Sequence, residues 1–330
     1  MVSSSRYKNS ENADCQHNLP DGAVFYAFSK RGMFIPMSAK RKAALLPYLY
    51  MTPTILLMLF IFLIPFIFCI VISLTSWNGI SKNLDFIGLN NYFTLFKEKN
   101  LLEVLYNNLI YFLVLVFIQN IISVILAVIL NGRFIGRNFF RAAIFLPTIV
   151  CTVAVGYVWN LMYDPMNGVL PGIVEALHIP FHTLWLGDPK LSIYYIMIAS
   201  IWQWAGWNMV IYLAGLQSIS EELYESADID GASALNRFRY ITLPLLAPAI
   251  TINIITSSIN TLKIFDLPYI MTGGGPGHST ESLAMIIIQN AFSNSKVGYS
   301  NALSMVQFFF ILIVAIVQFL YLRRREDNIL

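Results

Sequence analysis

Six stretches of this chain read as long and apolar enough to cross a lipid bilayer, and that constrains its fold more than any other feature. A helix needs about 20 mostly apolar residues to cross a hydrocarbon core roughly 30 Å thick. Such stretches run over about 45–74, 108–130, 142–163, 191–216, 245–265 and 300–322. Inside lipid every backbone N–H and C=O must be satisfied within the protein, so each stretch is expected to be a helix. Composition agrees. Of the 330 residues, 57% are hydrophobic and 12% are charged, against about 45–50% and about 25% for a soluble domain. The expected fold is all-α and integral to the membrane, with six helices in one bundle. The fifth stretch is the least apolar, with Ser257, Ser258, Asn260 and Thr261 inside it. That suits a helix facing a polar path rather than lipid.

Lys and Arg give the direction of threading, because they concentrate in cytoplasmic loops. They precede the first stretch (Arg6, Lys8, Lys30, Arg31, Lys40, Arg41, Lys42) and follow the second (Arg133, Arg137, Arg141). They also follow the fourth (Arg237, Arg239) and the sixth (Arg323, Arg324, Arg325). These segments share one face and hold most of the chain's 21 basic residues. Both termini are therefore expected in the cytoplasm. The first stretch starts too late and is too long for a cleaved signal peptide, so it reads as an anchor. Residues 1–42 read as a polar, basic, disordered cytoplasmic tail, and a start at Met33 or Met37 would leave a compact basic lead-in. Residues 43–325 form the expected membrane domain, and 326–330 a short cytoplasmic tail. Cys15, Cys69 and Cys151 show no pairing or ligand spacing and read as inert thiols.

The loop between the fourth and fifth stretches, 217–244, fits neither lipid nor a plain linker. Ser220 can cap a helix, and Glu221 and Glu222 suit its positive end. Leu223, Tyr224 and Ala227 recur at helical spacing, and Gly231 can turn the chain. A second short helix is expected from about Ala232 to Tyr240, with Pro244 in the first turn of the span that follows. Small residues at Ser226, Ala227 and Ala232 would let another surface approach. A solvated amphipathic connector accounts for the same residues.

The order of these residues adds to that reading. Glu225, Ser226 and Ala227, then Gly231, then Ile241, Leu243 and Pro244 resemble the E-A-A, G, I-x-L-P signature of binding-protein-dependent importer permeases, with Ser226 in place of the usual Ala. Leu213–Gln217, Leu223–Glu225, Ile229–Ala232, Phe265–Leu267, Met271–Pro276, Phe145–Pro147 and Gly88–Asn90 resemble its carbohydrate branch, maltose/oligosaccharide-type, while Leu235 and Asn236 depart from it. The resemblance covers about 38–325. It implies a six-helix ABC importer permease bundle whose cytoplasmic helix-turn-helix, including Asp228, seats in a cleft of a separate ATPase. It implies as partners a second homologous permease, two copies of that ATPase and an extracellular solute-binding protein. ATP and Mg would be bound by the ATPases, with no cofactor in this chain.

Sugar sites combine aromatic platforms with amides and hydroxyls. The fourth stretch places Ser200, Gln203, Trp204 and Trp207 on one helix face, and the fifth places Ser257, Asn260, Thr261 and Ile264 on another. Helix packing through small and polar residues is the competing account. The resemblance puts the cargo path on these two helices. Tyr212 and Asn208 fall on other faces or deeper, and Lys263 with Asp266 reads as an i, i+3 ion pair.

Other motifs carry less. Gly273-Gly274-Gly275-Pro276 lacks the Lys-Ser/Thr of a phosphate loop and reads as a turn. Asp228 and Asp230 form a D-x-D with no fold around it, and His17, His178, His182 and His278 show no ligand spacing. An intramembrane enzyme would need buried ionisable groups that the first three stretches lack. A secondary transporter would not need the loop signature. Glycerol-phosphate or a polyol is the alternative cargo, although a phosphate would want more fixed positive charge than Lys263.

Overall fold

The computed structural model describes residues 48, 50–178 and 184–327. The expected tail, 1–42, lies outside them. The chain divides into two compact units, Met1–Phe60 and Ile61–Leu330. In the first, residues 50–60 are the opening turns of helix α1 (Tyr50–Ser73), with every side chain exposed.

The second unit is helical. Apart from an isolated bridge between Thr75 and Phe86, no strand occurs among the described residues. After α1 come α2 (Asn90–Leu95) and α3 (Asn100–Asn131), the latter with a π-helical turn at Val114–Ile118. Next are α4 (Arg137–Ile149), α5 (Thr152–Tyr163), α6 (Val169–Ala176) and α7 (Ser192–Gln217). Then follow α8 (Glu221–Ile229), α9 (Ala234–Leu245), α10 (Ala247–Leu262), α11 (Asp266–Thr272), α12 (Leu283–Ser293) and α13 (Val297–Asp327).

The helices differ from the expected spans in specific ways. By length and composition α1, α3 and α13 can each cross a bilayer, and counting two bent pairs as spans raises the number to five. The stretch 191–216 forms α7, which at 26 residues is about 39 Å long. Its Trp, Tyr, Gln and Asn side chains keep it out of that apolar set. The expected span 142–163 is not one helix. Pro147 sits inside α4, and Val150 and Cys151 are extended, so α4 and α5 meet at 99°. Proline lacks the amide that would continue the ladder, which favours a helix end close by. The start of the fifth span also moves. Pro244 lies in α9, a bend of 68° follows, and Pro248 stands in the first turn of α10. The expected tail from 326 begins inside α13, which runs to Asp327.

Packing leaves a gap between two clusters. Near one end of α3 and α7, Tyr111, Leu115, Ile193, Tyr195 and Ile196 join Trp159, Tyr163, Leu267 and Met271 in one buried cluster. Near the other end Ala127, Leu130, Met209, Tyr212, Leu213 and Leu216 pack with Leu246 and Ala249. Between the clusters, all three long helices α3, α7 and α10 carry polar residues. The backbones come close here through small side chains. Ser123 Oγ donates to the Ala205 carbonyl at 3.0 Å. A Cβ at Gly206 would stand 2.2 Å from the Ile144 carbonyl oxygen, so only glycine lets α7 lie against α4. A third cluster joins α2, α3, α12 and α13 through Leu95, Val104, Leu283, Tyr299 and Leu303.

Outward, the helices present long apolar strips. Phe60, Ile61, Phe62 and Phe68 of α1, and Ile313, Val317 and Leu320 of α13, are exposed. Exposed apolar surface on this scale suits lipid rather than water.

Candidate functional site

The gap between the clusters is a cavity of about 500 Å³. Trp204 and Trp207 of α7 line it, with Ser257, Asn260 and Thr261 of α10 and Ile264 just beyond. Ser200 and Asn208 also face it, the latter expected elsewhere. Trp207 stacks on Phe145 of α4, with ring centroids 6.5 Å apart and planes 23° from parallel.

Gln203 is the expected path residue that does not line the cavity. It is fully buried, and its Nε2 donates to the Val150 carbonyl and to Thr152 Oγ1, each at 3.2 Å. Thr148 Oγ1 in turn donates to the Gln203 carbonyl at 2.8 Å. Helical spacing put Gln203 near Trp204 and Trp207, but the α4–α5 break claims the side chain. Extended residues there leave carbonyls without helical partners, and the Gln203 amide supplies a donor to one of them.

Lys263 and Asp266 were expected to pair. Among the described residues no ion pair joins them; both are exposed to the cavity and are its charged lining residues. The reason is local. Lys263 ends α10 and Asp266 opens α11, so the two do not share one helical turn.

Sequence reasoning missed Leu115, Gln119, Thr148, Thr152, Thr256 and Phe265, which also contribute to the lining. Gln119 and Asn120 had a legible signal, two adjacent amides in an otherwise apolar stretch. Thr148 and Thr152 had none, because only the 99° break turns them inward.

Beneath the lining lies a buried polar network. Tyr212 OH donates to Asn120 Oδ1 at 2.6 Å. Asn120 Nδ2 donates to the Val116 carbonyl at 2.6 Å and to Ser257 Oγ at 3.2 Å. Asn208 Nδ2 reaches the same Ser257 oxygen at 3.1 Å, and Asn253 Nδ2 donates to the Asn208 carbonyl at 3.1 Å. Three helices are thereby tied through buried amides and hydroxyls. On α10's other side Gln318 of α13 donates to Ser258 Oγ at 2.9 Å and Gln307 to the Leu262 carbonyl at 2.8 Å.

The 217–244 loop forms α8 and α9. Ser220 caps α8 by accepting from the Glu222 amide at 3.3 Å. Gly231 has φ +70°, with its amide on the Asp228 carbonyl at 3.1 Å and the Ala232 amide on the Ala227 carbonyl at 2.9 Å. This is a Schellman ending, which favours glycine. Ser233, unforeseen, caps α9 through the Asn236 amide at 3.3 Å. Asp228 pairs with Arg237, and Tyr224 OH lies 3.0 Å from Thr242 Oγ1, so the two short helices are joined. Arg133 pairs with Glu221 at 2.7 Å, tying the loop to the α3–α4 turn.

Exposure here corrects one expectation. Ala227 is buried and offers no small surface, whereas Ser226 and Glu225 are exposed. Ile241, Leu243 and Pro244 are half-buried. Large apolar side chains also face outward: Ile229 is 87% exposed and Leu235 73%.

The remaining motifs resolve locally. The glycine run 273–275 ends α11 and turns the chain. His278 Nδ1 lies 2.7 Å from Glu281 Oε2, and Asn107 Nδ2 donates to the carbonyls of both residues. Cys69 and Cys151 are free, Cys151 exposed at the α4–α5 break. Cys15 lies outside the described residues.

Two relatives align along nearly their full length. The trehalose/maltose transport system permease protein of Thermococcus litoralis is 33% identical over 289 residues, 87% of this chain and 97% of its own. The lactose transport system permease protein of Rhizobium radiobacter is 34% identical over 296 residues, 88% and 98% respectively. The crystal structure of a bacterial ABC transporter involved in import of the acidic polysaccharide alginate has the same fold. Its TM-score is 0.76 at 21% identity, over 87% of this chain and 98% of that one. The model of the binding-protein-dependent transport system inner membrane component matches residues 119–326, from Gln119 in the cavity wall through α7, both loop helices and α10. The chain belongs to the family of binding-protein-dependent transport system inner membrane components.

Proposed function

We propose that this chain is one of two permease subunits of an ATP-driven ABC importer in a bacterial cytoplasmic membrane, and that its cavity carries a neutral sugar or short oligosaccharide. The observation that carries the reading is the lining: two tryptophans beside Asn208, Asn260, Ser257 and Thr261. Indole faces cover the apolar faces of a pyranose, and amides and hydroxyls match its rim. A volume of about 500 Å³ lies within the roughly 300–1,000 Å³ of small-molecule sites. Lys263 and Asp266 leave the lining with no net charge, which favours a neutral cargo over glycerol-phosphate. The relatives named for trehalose/maltose, lactose and arabinooligosaccharides support the same class.

In this reading α1, α3, the α4–α5 pair, α7, α10 and α13 are the six spans. The α8–α9 pair faces the cytoplasm with Arg133, Arg237 and Arg323–Arg325, and both termini lie on that side. Exposed Glu225, Ile229 and Leu235 meet one of two ATPase subunits, which bind ATP and Mg. A second homologous permease completes the path, and an extracellular binding protein delivers the sugar on the opposite side. The test is uptake of radiolabelled maltose, trehalose and lactose by cells expressing the full complex. Uptake is expected to stop when ATP is depleted and to survive a protonophore that leaves ATP intact. The reverse pattern would mean a secondary transporter.

A further inference from the structure

The buried network beneath the cavity has a direction. A hydroxyl offers one proton and two lone pairs. Both lone pairs of Ser257 Oγ are engaged, by Asn120 Nδ2 at 3.2 Å and Asn208 Nδ2 at 3.1 Å. In a helix the proton of a serine commonly goes to the carbonyl four residues back. Ser258 and Ser304 do this, onto Ile254 and Ser300 at 2.7 and 2.9 Å. Ser257 makes no such bond to Asn253, and it lines the cavity. With the Asn208 amide nitrogen turned toward Ser257, the serine proton is left for the cavity.

The orientation of Asn120 enforces this. Its Nδ2 lies 2.6 Å from the Val116 carbonyl, an atom that can only accept. Its Oδ1 therefore faces Tyr212, whose hydroxyl donates to it at 2.6 Å. The second N–H of Nδ2 is left for Ser257. With Tyr212 at 1% exposure and Asn120 at 6%, turning the amide over would leave buried groups unpaired, which is costly.

We propose that Ser257 presents a fixed hydrogen-bond donor to the cargo, and that Asn120, held by Tyr212, is the positioning residue that sets its direction. The ligand atom opposite Ser257 is an acceptor: a hydroxyl, ring or glycosidic oxygen. This rests on the sugar-importer reading and adds to it the polarity of one contact.

Fluorine separates the alternatives, because it accepts a hydrogen bond and cannot donate one. The probes are maltose, trehalose and lactose, and for whichever is transported, its monodeoxy and monofluorodeoxy analogues at each hydroxyl. Uptake is measured with the complete complex and its binding protein, with analogue affinity for the binding protein measured separately and divided out. At one hydroxyl the deoxy analogue is expected to have a KM about fivefold above that of the fluoro analogue, the scale of a single hydrogen bond. Ser257→Ala should bring that ratio to about one at that position and leave the other positions unchanged. Asn120→Leu and Tyr212→Phe should lower the same ratio, whereas a merely structural role would raise KM for every analogue alike. If Asn120→Leu does not assemble, Tyr212→Phe, which removes one oxygen, decides. A transported sugar whose deoxy and fluoro analogues are equally poor everywhere overturns the donor assignment and leaves the importer reading intact. A ratio lost in Ser257→Ala but kept in the other two variants removes Asn120 from its role. Uptake of none of the three sugars overturns both readings.

Discussion

Gln203 of α7 donates through Nε2 to the carbonyl of Val150, 3.2 Å away, at the point where α4 stops and α5 turns off at 99°. That bond makes Gln203 a brace for the break. Its neighbours Trp204 and Trp207 face the cavity that the break helps to shape.

Gln203→Leu should therefore cost stability rather than selectivity. Val150 is itself exposed, so losing this part-buried hydrogen bond should cost about 0.5–1.5 kcal/mol. Thermal unfolding of the complex in detergent should shift downward while KM for the cargo stays in place. A changed cargo preference at unchanged stability would return Gln203 to the path.

Removing a platform should act in the opposite way. Trp207→Ala leaves Phe145 without its stacked partner and the cavity without one wall, and Asn260→Ala removes an amide from the rim. Each is expected to raise the KM of uptake about tenfold, equivalent to roughly 1.4 kcal/mol, with normal assembly by co-purification. Normal uptake by both variants would mean that these residues only pack helices.

Among the described residues, a Cβ at Gly231 would meet nothing within 4 Å beyond its chain neighbours, but the residue would have to adopt φ +70°. Gly231→Leu should cost about 1–2 kcal/mol from the left-handed backbone and still insert. It should nevertheless abolish uptake, with either no bound ATPase or ATP hydrolysis no longer stimulated by loaded binding protein. Glu225 is exposed and has no hydrogen-bond or ion-pair partner among the described residues. Glu225→Gln should therefore be milder and act only through the partner. Normal uptake and stimulation in Gly231→Leu would end the coupling role of α8–α9.

Threading can be read with single cysteines in a background lacking Cys15, Cys69 and Cys151. Lys82, Lys190 and Ser293 are exposed and should react with an impermeant thiol reagent from outside, whereas Asn236, also exposed, should not. Asn91 is a poor reporter, because it is buried and its Nδ2 donates to the Ser73 and Thr75 carbonyls at 2.8 Å. External labelling at 236 would overturn the six-span arrangement.

The purified chain without ATPase subunits should hydrolyse ATP no faster than a protein-free control. Robust turnover in such a preparation would contradict the division of labour proposed for the complex.

Much of this protein was legible in the order of its residues. Long apolar runs demand helices because lipid offers the backbone no partners. Ser220 before Glu221 and Glu222, and Gly231 after Ile229 and Asp230, mark the start and stop of α8 because capping is local chemistry. Helical spacing likewise put Trp204 and Trp207 on one face and Ser257, Asn260 and Thr261 on another. Tertiary packing decided what those faces meet. The break at Val150 and Cys151 drew Gln203 away from the cavity and turned Thr148 and Thr152 toward it. The separate helix α11 kept Lys263 and Asp266 from sharing a turn. The Asn120–Tyr212–Ser257 network joins residues more than 40 positions apart. Spacing along one helix specifies direction relative to that helix alone. Which oxygen gives its proton to which depends on helices that meet only when the chain is folded.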